Sequence, residues 1–191
     1  MLSKEQAVKI FTESGALMEG HFKLTSGRHS NRYMQCAQVL QYPAYTEELA
    51  RHLAEKFAGE KIDYVVGPAM GGIIVSYEVA RQLKVPSMFT ERQDGQMSLR
   101  RGFEIGTGNR VLVVEDVVTT GGSVVEVMDV IRKLGGEVVG VGVLVDRSAG
   151  KVDFGVPLQS VLSMDIESWE ADSCPLCKAG QGEAIKPGSR Q

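Results

Sequence analysis

Long apolar runs are missing from this sequence, and without a stretch of about 18 such residues no membrane span is expected. An excess of basic charge is missing too. With 21 Lys and Arg against 24 Asp and Glu, the formal net charge is −3, so nothing points to nucleic acid as a partner. Cysteine is scarce and odd in number (Cys36, Cys174, Cys177), which argues against a disulfide scaffold and fits a reducing cytoplasm. The opening Met-Leu-Ser-Lys-Glu-Gln lacks the charged-then-apolar layout of a secretory signal, so a cytoplasmic location is the expectation. There is no internal repeat and no low-complexity tract. What is present is ordinary globular composition, 43% hydrophobic and 24% charged, in a chain of 191 residues, enough for one domain. Glycine is plentiful at 22, which suggests tight turns or close backbone–ligand approaches.

Apolar residues Ala7, Val8, Ile10 and Phe11 recur at helical spacing, with Ser3 and Gln6 at capping-box positions. Residues 16–35 read as two short strands around the polar turn Thr25-Ser26-Gly27-Arg28-His29-Ser30. A helix follows Pro43, carries Leu49, Leu53 and Phe57, and stops near Gly59. From Asp63 strands and helices alternate. Tyr64-Val65-Val66 is a strand, 73–83 a helix, 86–89 a strand, and 91–108 a long mobile loop or hairpin. Val111-Leu112-Val113-Val114 has the texture of a buried parallel strand. A helix over 123–134 buries Val124, Val127, Met128 and Ile131 and ends at Gly135-Gly136. Residues 138–145 form another strand, and Val161-Leu162 a last one. Such alternation implies an α/β fold with a mainly parallel central sheet flanked by helices. The tail after Asp172 is expected to be irregular.

Residues 111–123 carry the chemistry. A hydrophobic strand ends in Glu115 and Asp116, and Val117-Val118-Thr119-Thr120-Gly121-Gly122-Ser123 then opens a helix. Amides at a helix N-terminus suit a phosphate, and Thr119, Thr120 and Ser123 add hydroxyl donors. The two glycines permit close approach, and the carboxylates can accept from a sugar diol or help anchor a hydrated cation. A surface turn with two solvated acids is the bland alternative. The spacing and lysine of a Walker loop are absent.

This segment resembles the 5-phosphoribosyl-1-pyrophosphate (PRPP) motif of the type I phosphoribosyltransferases. The resemblance implies that fold, with a small N-terminal hood. The hood would comprise about residues 1–42 plus the tail 165–191, over a core of 43–164. It implies that Glu115 and Asp116 face the ribose and that Thr119 to Ser123 hold the 5′-phosphate, with Val117 and Val118 as further PRPP contacts. Val66-Gly67-Pro68-Ala69-Met70-Gly71-Gly72 resembles the family's pyrophosphate loop, which adds Met70 and Gly71 as PRPP contacts.

Among acceptor bases, three stretches are similar to the orotate enzymes. Gly20 to Ser30, with Tyr33, resembles their hood, and the Asp146-Arg147 pair ends a strand where they have an arginine that contacts the substrate. The tail, Cys174-Pro175-Leu176-Cys177 with Lys186-Pro187-Gly188-Ser189-Arg190, resembles one subgroup of them. Around orotate the resemblance implies Thr25, Ser26, Gly27, Tyr33, Thr119 and Arg147. A plain hairpin turn and an Asp146–Arg147 salt bridge are the bland readings.

Residues 91–103 resemble the mobile catalytic loop, with Arg92 at the family's arginine. Lysines expected at Gln93, Gly71 and Thr25 are missing, and Arg100 and Arg101 are expected to supply the charge. The catalytic set is then Asp116, Glu115, Arg92 and Arg100. Mg2+ is implied as cofactor, held mainly by PRPP rather than by direct side-chain ligation. A homodimer sharing this loop across its interface is also implied. Other phosphoribosyltransferases, or a non-catalytic PRPP sensor, are the competing functions. The lone CxxC, without a second pair, is read as packing or surface cysteines, with a zinc site completed by Cys36, a histidine or a dimer mate as the alternative. His21, His29 and His52 are scattered, with His52 expected on the solvent or interface side of its helix.

Overall fold

The computed structural model describes residues 2–24 and 26–187, so Thr25 and residues 188–191 of the tail lie outside the described residues. In chain order the elements are α1 (Lys4–Glu13), β1 (Leu17–Lys23), β2 (His29–Met34), α2 (Ala37–Leu40), α3 (Pro43–Glu55), β3 (Tyr64–Pro68) and α4 (Gly71–Leu83). There follow β4 (Ser87–Gln93), β5 (Gln96–Leu99), β6 (Arg110–Val118), α5 (Gly122–Lys133), β7 (Glu137–Asp146), β8 (Leu158–Ser163) and α6 (Pro175–Lys178). The helix starts follow their sequences. At α1, Ser3 Oγ accepts the Gln6 N–H at 3.2 Å while Gln6 Oε1 accepts the Ser3 N–H at 2.8 Å, which satisfies donors the helix leaves orphaned.

Six strands form the main sheet in the order β5-β4-β3-β6-β7-β8. All neighbours are parallel except β5, which returns antiparallel along the edge strand β4. Successive residues of β6 face opposite sides: Leu112 and Val114 pack with α1, α3 and α4, whereas Val111 and Val113 pack with α5. Strand β6 is therefore buried on both faces. A separate antiparallel ribbon, β1 with β2, stands over one end. The tail pairs with both of its strands. Lys23 N–H donates to Ile185 C=O and Ile185 N–H to His21 C=O, each at 2.8 Å; His29 and Trp169 exchange bonds of 2.7 and 2.8 Å.

Several expectations need correction. The 111–114 strand was expected to end at the two acids, but β6 runs on to Val118 because pairing with β7 continues (Glu115↔Val143, Val117↔Val145). Glu115 and Asp116 are thus in-strand residues. Of the two readings for 91–108, the hairpin holds over residues 91–99, where β4 and β5 pair around Asp94 and Gly95 at φ 51° and 81°, the left-handed pair of a type I′ turn. His52 is buried rather than facing solvent, and its Nδ1 accepts the Leu2 N–H at 3.3 Å. The short helices α2 and α6 were not anticipated; four residues carry no legible period. Phe57 lies beyond the end of α3 but is buried, packed beneath β7 at Gly140 and Gly142.

A Cβ at Gly140 would stand 2.7 Å from Phe57 Cε1 and 3.3 Å from the Pro157 carbonyl. Gly140→Ala is therefore expected to lower stability by about 1–3 kcal/mol through overpacking, read as a lower urea midpoint at unchanged m-value.

Candidate active site

From β3 the chain moves to β4 on one side, and from β6 to β7 on the other, so the strand order reverses between β3 and β6. Open α/β sheets bind ligands at such a switch point, beyond the carboxyl ends of the strands. The β3–β6 pairing ends at Val66↔Val113, which leaves the last residues of β6 without β3 as a neighbour. The tight β3–α4 junction, residues 67–72, approaches that end of β6 at Gly71. A Cβ at Gly67 would meet the Gly72 carbonyl oxygen at 2.3 Å, and one at Gly72 would meet Pro68 Cδ at 2.7 Å. Ala69 N–H holds the turn to β4 by donating to the Thr90 carbonyl at 2.7 Å.

Gly71 has a direct reason to be small. A Cβ there would lie 2.4 Å from Asp116 Oδ2, so its absence seats the carboxylate against the start of α4. Asp116 Oδ1 also accepts the Val117 N–H at 2.7 Å, and Glu115 Oε1 accepts the Asp116 N–H at 3.1 Å. Burial, reinforced by the neighbouring Asp116, pushes Glu115 up to about 9. Burial also raises Asp116, against the pull of its backbone hydrogen bonds.

Past β6, Gly121 adopts φ 77° at the N-cap of α5, and a Cβ there would collide with the Phe154 ring at 2.9 Å. The first intrahelical bond, Val125 N–H to Gly121 C=O at 3.0 Å, leaves the amides of Gly122, Ser123 and Val124 directed outward at the positive end of the helix. They border a cavity of about 260 Å³, also lined by Arg92, Glu115, residues 117–120 and Glu126. Arg92 bridges to Glu126 Oε2 at 2.6 Å and donates to the Gly95 carbonyl at 3.0 Å.

Arg147 follows β7, and its N–H donates to the Val118 carbonyl at 2.8 Å. Its Nε is buried and has no partner among the described residues. Burial lowers its pKa, while the charges of Cys36 and Tyr33 act in the opposite sense. The Asp146 carboxylate accepts the Ser148 N–H at 2.8 Å, and no Asp146–Arg147 ion pair forms among the described residues.

Not every predicted site residue converges. Ser26 and Gly27 shape the β1–β2 turn, where Gly27 N–H donates to Leu24 C=O at 2.9 Å and Ser26 Oγ accepts the Arg28 N–H at 3.4 Å; neither lines the cavity. Met70 projects into solvent at 83% exposure. Arg100 and Arg101 both hold Glu91, the latter through two bonds of 2.9 Å, and lie off the cavity wall. Sequence reasoning missed Glu126, which lies one turn into α5 on the Ser123 side; helical spacing was the available signal. For the cysteines the geometry favours the alternative over the bland reading: Cys174 and Cys177 meet two histidines, His21 and His29, and Cys36 is not part of the group.

Comparison with known proteins is consistent with this geometry. The family described as "Phosphoribosyl transferase domain" matches residues 36–170. The orotate phosphoribosyltransferase of Desulforamulus reducens is 59% identical over 190 residues, covering 100% of this chain and 99% of its own. That of Pelotomaculum thermopropionicum is 60% identical, with 100% of both chains covered. Among solved structures, orotate phosphoribosyltransferase from Aeropyrum pernix superposes with a TM-score of 0.67 at 30% identity, covering 82% of this chain and 93% of that one.

Two outcomes are expected from the geometry alone. A raised carboxyl pKa means the folded state binds the proton more tightly than the unfolded one, so stability falls as pH rises from about 4.5 towards about 9. Glu115→Gln should abolish most of this slope and raise the melting temperature of the ligand-free protein at pH 8, as scanning calorimetry across pH would show. Gly121→Ala should lower the melting temperature of the ligand-free protein, because both its φ and the Phe154 ring exclude a side chain.

Proposed function

Because this chain belongs to the phosphoribosyl transferase domain family and, within it, to the orotate phosphoribosyltransferases, we propose that it transfers the phosphoribosyl group of PRPP to orotate. The products are orotidine 5′-monophosphate and pyrophosphate, a step of de novo pyrimidine synthesis. One observation supports this reading above the others. The buried Glu115–Asp116 pair runs directly into the Thr119–Ser123 turn at the N-terminus of α5, at the switch point of the sheet.

In this reading the Thr119–Ser123 amides and hydroxyls hold the 5′-phosphate, with Val117 and Val118 forming the approach. Glu115 and Asp116 accept the ribose hydroxyls. The 67–72 turn, with Met70 and Gly71, and Arg92 bind the pyrophosphate. As the bond from C1 to the pyrophosphate oxygen breaks, its electron pair leaves with pyrophosphate and positive charge develops on the sugar. Carboxylates beneath the ribose and cations at the leaving group stabilise that separation. Deprotonated N1 of orotate then forms the new bond to C1. Arg147 offers its unpartnered Nε to the orotate carboxylate, with Tyr33, Thr119 and the β1–β2 turn (Thr25, Ser26, Gly27) around the ring. The oxygens of bound PRPP suit Mg2+, with Glu115 and Asp116 nearby but not ligating it, and the ion would neutralise charge on the diphosphate.

Homodimer formation belongs to the same proposal. Met70, Ile74 and Tyr77 are 83%, 45% and 66% exposed and share one face of the α4 segment, an apolar stripe suited to a second copy. The β4–β5 hairpin and residues up to 103 would reach the partner's site, where Arg100 and Arg101 act once released from Glu91. The hood of residues 1–42 with 165–191 is assigned to cover the base. Among the described residues no helix is long and apolar enough to cross a membrane, and a cytoplasmic enzyme accords with three free cysteines.

The test follows loss of orotate absorbance with PRPP and Mg2+, with adenine, guanine, xanthine and uracil in parallel. Orotate alone should turn over, and EDTA should stop it. Arg147→Ala should raise KM for orotate by about 10- to 100-fold, the loss of one charge-assisted contact. Turnover of another base, with none of orotate, would sink the assignment. By sedimentation, the protein should be a dimer that Tyr77→Asp weakens.

A further inference from the structure

No residue given a substrate contact above belongs to the densest cluster of ligating side chains, which sits between the β1–β2 ribbon and the tail. His21 on β1, His29 on β2, and Cys174 and Cys177 around α6 place four potential ligand atoms within 4.8 Å of one another. The two histidines and Cys174 are buried and Cys177 is exposed at the rim. All four positions lie outside residues 36–170, the part that matches the shared family domain.

The distances describe a coordination shell. His21 Nε2 is 3.0 Å from His29 Nδ1, 3.6 Å from Cys174 Sγ and 3.5 Å from Cys177 Sγ, and Cys177 Sγ is 3.3 Å from His29 Nδ1. A tetrahedron with Zn–N of about 2.05 Å and Zn–S of about 2.3 Å has N···N edges of about 3.4 Å and N···S edges of about 3.6 Å. Hydrogen bonding alone serves the cluster poorly. His21 Nδ1 lies 2.9 Å from the Gly182 carbonyl, an acceptor only, so Nδ1 carries the proton and Nε2 presents its single lone pair. Three groups (His29 Nδ1 and both sulfurs) converge on that one lone pair. A cation at the centre would accept all four donors at once. The Gly182 bond would then be the outer contact that fixes the tautomer and ring of a metal-bound histidine.

We propose that His21, His29, Cys174 and Cys177 form a structural zinc site that clamps the C-terminal tail onto the β1–β2 ribbon. Two thiolates and two neutral imidazoles balance the double charge of Zn2+, so a largely buried site carries no net charge; binding releases the two thiol protons to solvent. The S2N2 donor set and closed tetrahedral arrangement suit zinc over harder cations. With four protein ligands no position is left for substrate, so the role is structural. The site continues a seam already visible in the backbone. The Ile185 and Trp169 bridges flank it, and Arg28 pairs with Glu170 and donates to Ser168 Oγ at 2.9 Å. His21 and His29 bracket the turn assigned above to orotate. A consequence for orotate KM therefore rests on that reading, whereas metal binding itself does not.

The experiment measures metal first. Protein purified without chelator should carry about one zinc per chain by mass spectrometry of the elements. Exchange for Co2+ should give the intense ligand-field bands of a tetrahedral site and sulfur-to-cobalt charge transfer. Cys177→Ser and His29→Asn should each lose most of the metal, while Cys36→Ala keeps it. Should the ligand variants fail to fold, the wild type still decides: releasing zinc should unmask two thiols per metal and lower the melting temperature. Zinc below about a tenth of an equivalent with no cobalt–thiolate bands, or a chain lighter by two hydrogens through a Cys174–Cys177 disulfide, would overturn the site. If zinc binds but its removal leaves orotate KM unchanged, the clamp stands and the assignment of the β1–β2 turn to the base fails.

Discussion

Everything at the candidate site hangs on the central strand β6 being buried on both faces and paired further on one side than on the other. Its apolar residues fix it between two helical layers, so its direction and register leave little freedom. Pairing with β3 stops at Val113 while pairing with β7 continues to Val118. That five-residue difference in extent opens the crevice and delivers Glu115, Asp116 and the Thr119–Ser123 turn to it. Packing thus sets the chemistry's position before any ligand arrives.

The ligand-free site is electrostatically unfinished. Two carboxylates share a buried strand end where burial favours their protonated forms, and Arg147 holds a buried Nε without a partner. Each is unfavourable alone, and each is relieved by a substrate of the proposed kind: a cation-bearing diphosphate sugar for the acids, a carboxylate for the arginine. The nearby cations, one on the cavity wall and two off it, are already engaged. Arg92 bridges to Glu126, and Arg100 and Arg101 hold Glu91. Exposed pairs of this sort are worth little in water, so a bound phosphate competes for them readily. The absence of loop lysines is therefore less of a deficit than it first looks, since Arg92 stands within the hairpin and Arg100 and Arg101 directly follow it.

A second organising element lies in the ribbon and tail. Ordinary burial contributes little there: the tail is mostly exposed, and α6 has four residues and buries none of them. Backbone bridges, the Arg28–Glu170 pair and the proposed zinc clamp supply what a hydrophobic core does not. Small peripheral units with few apolar contacts commonly depend on such cross-links.

Strand–helix alternation, the mainly parallel sheet and residues 111–123 were legible because they rest on local signals: buried apolar runs, helical period, capping residues and glycine-opened turns. That Arg147 directly follows a buried strand was legible too. What the sequence left undetermined depends on the approach of segments far apart in the chain. That β6 carries its acids within the strand is set by β7, and that Gly71 must be small is set by Asp116, 45 positions away. The engagement of Arg100 and Arg101 by Glu91 depends on the turn at Asp94-Gly95 closing a hairpin. Most of all, a lone CxxC and two scattered histidines carried no clear meaning as a string. His21 and Cys174 are 153 residues apart, and only the folding of the tail back onto the ribbon brings their ligand atoms together. Local physics fixes which elements form; the meeting of side chains across such separations is decided by the packing of those elements, which no local pattern encodes.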